Sequence, residues 1–277
     1  MKISEILKNT ADRLREAGID TANLDARLLL CKFLNRDKLY IVVNSAEDVE
    51  ISEDFEQLVK RRESHEPMQY ILGRAEFYGL DFKVNHNVLI PRPDTEVLVE
   101  SVIDYVRDNS YTILDIGTGS GCIPISVVAN CPNAKAYTVD VSKDATEVAI
   151  ENAMINNVQD KITFLNMDIL SDFPDFSVDC IVSNPPYIEK GVIPTLMEDV
   201  RNFEPYIALN GGDDGLAFYR GIAQKGFEIL KNGGLIAFEV GHNQARTVER
   251  ILVENGFSQT EIIKDLAGIE RVVTAIK

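Results

Sequence analysis

From residue 95 onward, short apolar runs alternate with stretches of helical period, and this alternation leaves few folds open. Runs at 112–116, 134–140, 162–166, 180–183, 234–240, 259–264 and 271–276 have strand length. Helical spacing fills 97–106, 122–130, 143–156, 216–230 and 243–255. Strands that are apolar along their length must be covered on both faces. Strand–helix alternation builds a parallel sheet with helices on either side. The expected fold class is α/β, with a mostly parallel seven-stranded sheet across 95–277.

Residues 1–73 read differently. Ile3, Ile6, Leu7, Ala11 and Leu14 recur at helical spacing until Gly18. A second helix is expected over 22–34, then a short segment at 39–42. Another helix starts after Ser52, an N-cap with Glu53 and Asp54 in the first turn. These residues predict a small helical bundle. Phe77, Tyr78, Phe82 and Val84 surround Gly79, which predicts two short strands and a turn, a β-hairpin connector over 74–94. Lys60, Arg61 and Arg62 read as a solvated helix end, and Arg92 with Glu96 as a surface pair.

Three function classes are disfavoured by composition. The net charge is −16, which repels phosphate and argues against a nucleic-acid footprint or a membrane surface. Cys31, Cys122, Cys131 and Cys180 are scattered, and His65, His86 and His242 are isolated, so no metal site is expected. There is no signal-peptide pattern and no long apolar stretch. A monomer in the cytoplasm is the expectation.

The stretch "ILDIGTGSGC" runs from Ile113 to Cys122. A strand ends in Asp115, a loop carries Gly117, Gly119 and Gly121, and a helix follows. Glycines there let the backbone approach a ligand and adopt positive φ. The spacing is G-x-G-x-G rather than the dinucleotide pattern G-x-G-x-x-G. Asp140 ends the next strand, near the offset of roughly 20 residues expected for an acid that holds a ribose diol. Asp168 ends the third strand, where it can accept from an adenine amino group. In such folds ligands bind at the carboxyl ends of the strands.

"SNPPYIEK" follows the strand 180–183. Pro185 keeps Asn184 extended, and Pro186 does the same to Pro185. The Asn184 side-chain oxygen and the Pro185 carbonyl can then accept both hydrogens of a planar –NH₂ group. Tyr187 offers a flat face to such a group. These residues alone leave two substrates open, a side-chain amide and an exocyclic aromatic amine.

The ordered set resembles the class I methyltransferases, which have a Rossmann-like fold and bind S-adenosylmethionine. That resemblance implies a cofactor site at Gly117, Thr118, Gly119, Ser120, Gly121, Asp140, Asp168, Ile169 and Asn184. Further stretches, "EPMQYILGRAEFYG", "IPRPDTE", "EPYIALNGGDDGL" and "DLAGIERVV", are similar to one family along the whole chain. It is the peptide chain release factor glutamine N5-methyltransferases, also called PrmC or HemK. The resemblance implies methyl transfer to the glutamine amide of a Gly-Gly-Gln loop, with S-adenosylhomocysteine as product. Asn184, Pro185, Pro186 and Tyr187 would hold that amide, and the helical domain would help dock the release factor. A nucleic-acid amine methyltransferase and a binding module without turnover are the competing readings.

Overall fold

The computed structural model describes residues 1–277. It divides into two compact units, one of Met1–Gly73 with Met197–Phe203, the other of Arg74–Leu196 with Glu204–Lys277.

The first unit is helical. It contains α1 (Ile3–Glu16), α2 (Ala22–Leu34), α3 (Lys38–Val43), α4 (Glu53–Glu63) and α5 (Met68–Leu72). The apolar positions of α1 are the ones the period selects: Ile3, Ile6, Ala11 and Leu14 are buried. They meet Leu29 and Leu30 of α2, Ile41 of α3 and Phe55 and Val59 of α4 in one core. Ser52 caps α4 by accepting from the Asp54 N–H at 3.3 Å. Segment 197–203, which includes α9 (Glu198–Phe203), was not expected in this unit.

Of the basic run at the end of α4, Lys60 is exposed as expected, whereas Arg61 and Arg62 are paired. Arg61 forks onto both carboxylate oxygens of Glu66. Arg62 Nε donates to Asp25 at 2.8 Å, and that aspartate is 2% exposed. Thr21 also donates to it, at 2.7 Å. Asp25→Ala therefore strands a largely buried guanidinium. We expect a loss of about 3 kcal/mol, the usual cost of breaking a buried pair, read as a lower urea midpoint. A loss no larger than that of an exposed aspartate would mean the pair does not hold the bundle.

The second unit opens with a hairpin, β1 (Arg74–Phe77) and β2 (Leu80–Lys83). Phe77 and Phe82 are buried in the core beneath the main sheet. Then come α6 (Glu96–Val106), β3 (Thr112–Ile116), α7 (Cys122–Asn130), β4 (Lys135–Asp140), α8 (Lys143–Ile155), β5 (Ile162–Asn166) and β6 (Val178–Ser183). After α10 (Tyr206–Leu209) and α11 (Ala217–Ile229) follow β7 (Leu230–Glu239), α12 (Ala245–Glu254), β8 (Ser258–Lys264) and β9 (Glu270–Ile276).

The seven strands lie in the order β5-β4-β3-β6-β7-β9-β8. Strands β3 to β7 are parallel, and β9 runs antiparallel between β7 and β8. Alternation along β7 separates two cores. Leu235 and Ala237 join Leu98 and Val102 of α6. Ile236 and Phe238 join Tyr219 of α11 and Val248 of α12. The chain leaves β3 toward one edge and resumes at β6 toward the other, so the crevice between those two strand ends is where such sheets take ligands. No helix is long and apolar enough to cross a membrane.

Candidate active site

The loop after β3 turns through left-handed backbone at Gly117, Gly119 and Gly121, with φ of 78°, 53° and 81°. The three glycines do different work. Gly117 and Gly119 line a cavity of about 310 Å³ at the carboxyl edge of the sheet. Gly121 starts α7, and a Cβ there would meet Ala149 of α8 at 3.2 Å, so it serves helix packing. Thr118 and Ser120 are buried behind the cavity wall. Asn152, fully buried on α8, donates to the carbonyls of Ser120 and Lys83, tying the loop and the hairpin to one helix.

Asp140, Asp168, Ile169 and Asn184 line the same cavity. Successive parallel strands end at one edge, which gathers residues far apart in the chain. Asp140 accepts from the Gly119 N–H and from the Ser142 N–H, each at 2.8 Å and on different oxygens. Burial pushes its pKa up, and those backbone N–H groups pull it back. The cap of α8 is Ser142, which accepts from the Ala145 N–H at 3.1 Å. Asp140 is thus not needed as the cap. Asp168 is exposed and accepts from the Leu170 N–H at 3.0 Å.

Ser183 donates to the Ile116 carbonyl at 2.6 Å, stapling β6 to β3 just ahead of Asn184. Asn184 is half-buried, and its amide donates to Thr95 Oγ1 at 3.3 Å. Pro185 and Pro186 also reach the cavity. Tyr187 does not line it: its ring packs on Gly241, where a Cβ would come within 2.9 Å of Cδ2. Burial, aided by the nearby Glu239 charge, raises the Tyr187 hydroxyl to about 12.

The glycines of "GGDDGL" support this segment from behind. Ile188 and Asn210 form a parallel bridge, and the Gly211 N–H donates to the Ile188 carbonyl at 2.9 Å. Gln244 donates to the Tyr187 carbonyl at 3.0 Å. A Cβ on Gly211 would lie 2.7 Å from the Pro186 oxygen and 2.8 Å from the Tyr187 Cα. These are backbone atoms and cannot step aside. Gly211→Ala should shift the Asn184–Tyr187 backbone and lower turnover by about 10²-fold, the scale of an ångström-level misplacement. A steady-state rate equal to that of the parent would show that the loop tolerates the shift.

Several buried or paired residues around the site, none of them lining the cavity, carried no readable signal. Asp115 was visible only as the end of a strand. It is fully buried, neither carboxylate oxygen has a hydrogen-bond partner, and burial lifts its pKa to about 8. Glu239 ends β7, 3% exposed, and Thr95 precedes α6, 2% exposed. Arg92 does not pair with Glu96. It reaches Glu204 at 2.6 Å, while Glu96 accepts from the Tyr78 N–H at 2.8 Å.

Comparison with known proteins follows this division. The family profile of the PrmC N-terminal domain matches residues 5–73, and that of the methyltransferase small domain matches 93–200. A release factor glutamine methyltransferase of Clostridium botulinum is 42% identical over 282 residues, covering 100% of both chains. Its namesake from Caulobacter vibrioides is 40% identical, covering 96% of this chain and 93% of its own. A crystal structure of a methyltransferase from Pyrococcus furiosus shares the fold, with a TM-score of 0.55 at 20% identity over 73% of this chain and 90% of that one. With full-length similarity of this depth, the chain belongs to the release factor glutamine methyltransferase family.

Proposed function

We propose that this protein methylates the side-chain amide nitrogen of the glutamine in the Gly-Gly-Gln motif of peptide chain release factors, with S-adenosylmethionine as methyl donor. One observation carries the reading. An Asn-Pro-Pro segment, clamped from behind, borders a cavity whose other walls are a glycine loop and two strand-end aspartates.

The cavity suits the cofactor. Its volume lies at the lower end of the range of ligand sites, roughly 300–1,000 Å³. Asp140 keeps a second lone pair on each oxygen for a ribose diol. Ile169, 7% exposed, offers an apolar surface beside Asp168 for a purine. When bound, S-adenosylmethionine supplies a methyl group on a sulfonium and leaves as S-adenosylhomocysteine.

The protein's own contribution is geometry and acceptor placement. Asn184 Oδ1 and the Pro185 carbonyl take the two hydrogens of the substrate amide, turning its nitrogen toward the methyl group. Both hydrogen bonds strengthen as that nitrogen gains positive charge, so the transition state is held more tightly than the ground state. In-line alignment supplies much of the remaining rate. The nitrogen gives up one proton as the N–C bond forms. The helical unit takes part in docking the release factor, and the enzyme works as a cytoplasmic monomer.

Transfer of labelled methyl to a purified release factor tests this, beside a release factor whose Gly-Gly-Gln glutamine is alanine. Label on the parent factor alone is the expected result. No label on either, with the cofactor bound normally, would sink the reading and turn attention to nucleic-acid amines.

A further inference from the structure

A buried carboxylate sits beside the substrate cradle with no role in the reaction as described. Glu239 ends β7 on the face of Leu235 and Ala237. The register pairing Phe238 with Ser183 brings it next to Asn184. The Thr95 hydroxyl and the Asn184 amide both stabilise its ionised form. Its Oε2 has no hydrogen-bond partner. An acid this buried and only partly satisfied is costly to keep.

The three groups form a cluster in which the direction of each hydrogen bond matters. An asparagine amide can turn over, exchanging its oxygen for its –NH₂. Only the oxygen can receive an N–H from a substrate amide. A hydroxyl has one hydrogen and two lone pairs, and an ionised carboxylate only accepts. With Glu239 ionised, the Thr95 hydrogen is drawn to the carboxylate. The Thr95 lone pair then takes an N–H of Asn184, as the 3.3 Å contact records. Asn184 Oδ1 is left to face the cavity.

We propose that Glu239 is a positioning residue that acts together with Thr95 to hold Asn184 with its oxygen, not its –NH₂, toward the substrate. The inference rests on the glutamine-amide reading above. It makes the cradle sensitive to protonation. A protonated Glu239 can donate to Thr95, and the hydrogen-bond directions can then reverse. Burial raises the Glu239 pKa to about 7, with Thr95 and Arg271 pulling it down, Asp94 pushing it up, and Asn184 pulling it down. Arg271 faces it from β9, Asp94 from ahead of α6, Tyr187 from beyond β6, Tyr219 from α11 and Cys122 from α7. Tyr187, Tyr219 and Cys122 are all raised by burial and stay neutral. Arg271 is held by Asp94 at 2.7 Å and Asp265 at 2.9 Å. Glu239 ionises as pH rises, so turnover should climb through about 7.

The experiment measures kcat and KM on the release factor across pH for the parent, Glu239→Gln, Thr95→Val and Thr95→Ser. Glu239→Gln should lose on the order of 10² in kcat, the scale of one misdirected oxyanion-type contact, with KM much less affected. It should also lose the rise in rate near neutrality. Thr95→Val should show the same loss, and Thr95→Ser should recover most of it. A kcat and pH profile in Glu239→Gln matching the parent would overturn the proposal. So would a Thr95→Ser variant no better than Thr95→Val. A second readout is independent of turnover. In ¹⁵N-asparagine-labelled protein, assigned with Asn184→Ala, the Asn184 side-chain –NH₂ resonances should shift in Glu239→Gln and Thr95→Val. If the parent transfers no methyl, the substrate reading falls, but unchanged resonances in both variants would refute the positioning role separately.

Discussion

Asn184→Ala should reduce methyl transfer by about 10²–10³-fold, the effect of deleting one transition-state hydrogen bond in a preorganised site. Cofactor affinity should fall far less. The Pro185 carbonyl belongs to the backbone and stays, so one acceptor of two is lost. The substrate amide then enters with one N–H unpaired in a partly dehydrated site, which weakens it most where its nitrogen becomes positive. Asn184 borders the cavity but is one wall among many, so titration with S-adenosylhomocysteine should show little change. Single-turnover rates at saturating cofactor separate the two quantities. A rate equal to the parent's would remove the cradle, and a matching collapse of affinity would make Asn184 a cofactor residue first.

Asp115→Asn should move stability and binding in opposite directions. The folded protein holds the Asp115 proton until about pH 8, against an ordinary value of 3.8. The unfolded chain releases it earlier. Between those values the folded state binds the extra proton, so stability from this group falls as pH rises and levels off above about 8. The slope is about 1.4 kcal/mol per pH unit. Asparagine abolishes it. The cofactor-free variant should therefore melt higher at neutral pH, by an amount on the order of 2–4 kcal/mol. Cofactor affinity should drop at least about tenfold, because a buried carboxyl at the start of the glycine loop can give up its proton beside a cationic ligand group, which asparagine cannot do. Melting curves across pH without cofactor, together with a binding titration, check both parts. A variant that melts no higher than the parent at neutral pH would show that Asp115 is not strained.

What could be read from the residues was whatever repeats with a period or sits at a strand end. The pattern over 22–34 became α2, and 112–116 became β3, because both bury full apolar faces. Gly117, Asp140, Asp168 and Asn184 met in one cavity because parallel strands bring their carboxyl ends to one edge. Helix α5, α9 and α10 span only five, six and four residues, too few for a period of 3.6 to show. Pairings such as Arg62 with Asp25 or Arg92 with Glu204 join distant positions through tertiary packing. Glu239 stayed hidden for a related reason. A glutamate after an apolar run looks solvated until the strand order sets it beside Asn184. The glycines of 211–215 suggested a loop, and only the fold shows that their missing side chains make room for the Pro186 and Tyr187 backbone.

The placement of β9 also bears on how the protein is made. Strand β8 has no neighbour except β9, and β7 has β9 on one side. Both are translated before it. Until residues 270–276 leave the ribosome, β7, with its apolar run Leu235–Phe238, has an open edge and β8 has no partner strand, the kind of surface that recruits other chains. A premature stop or a proteolytic nick before Glu270 would make that transient state permanent. Such a fragment should be aggregation-prone and a ready client for chaperones, even with every cavity-lining residue still present.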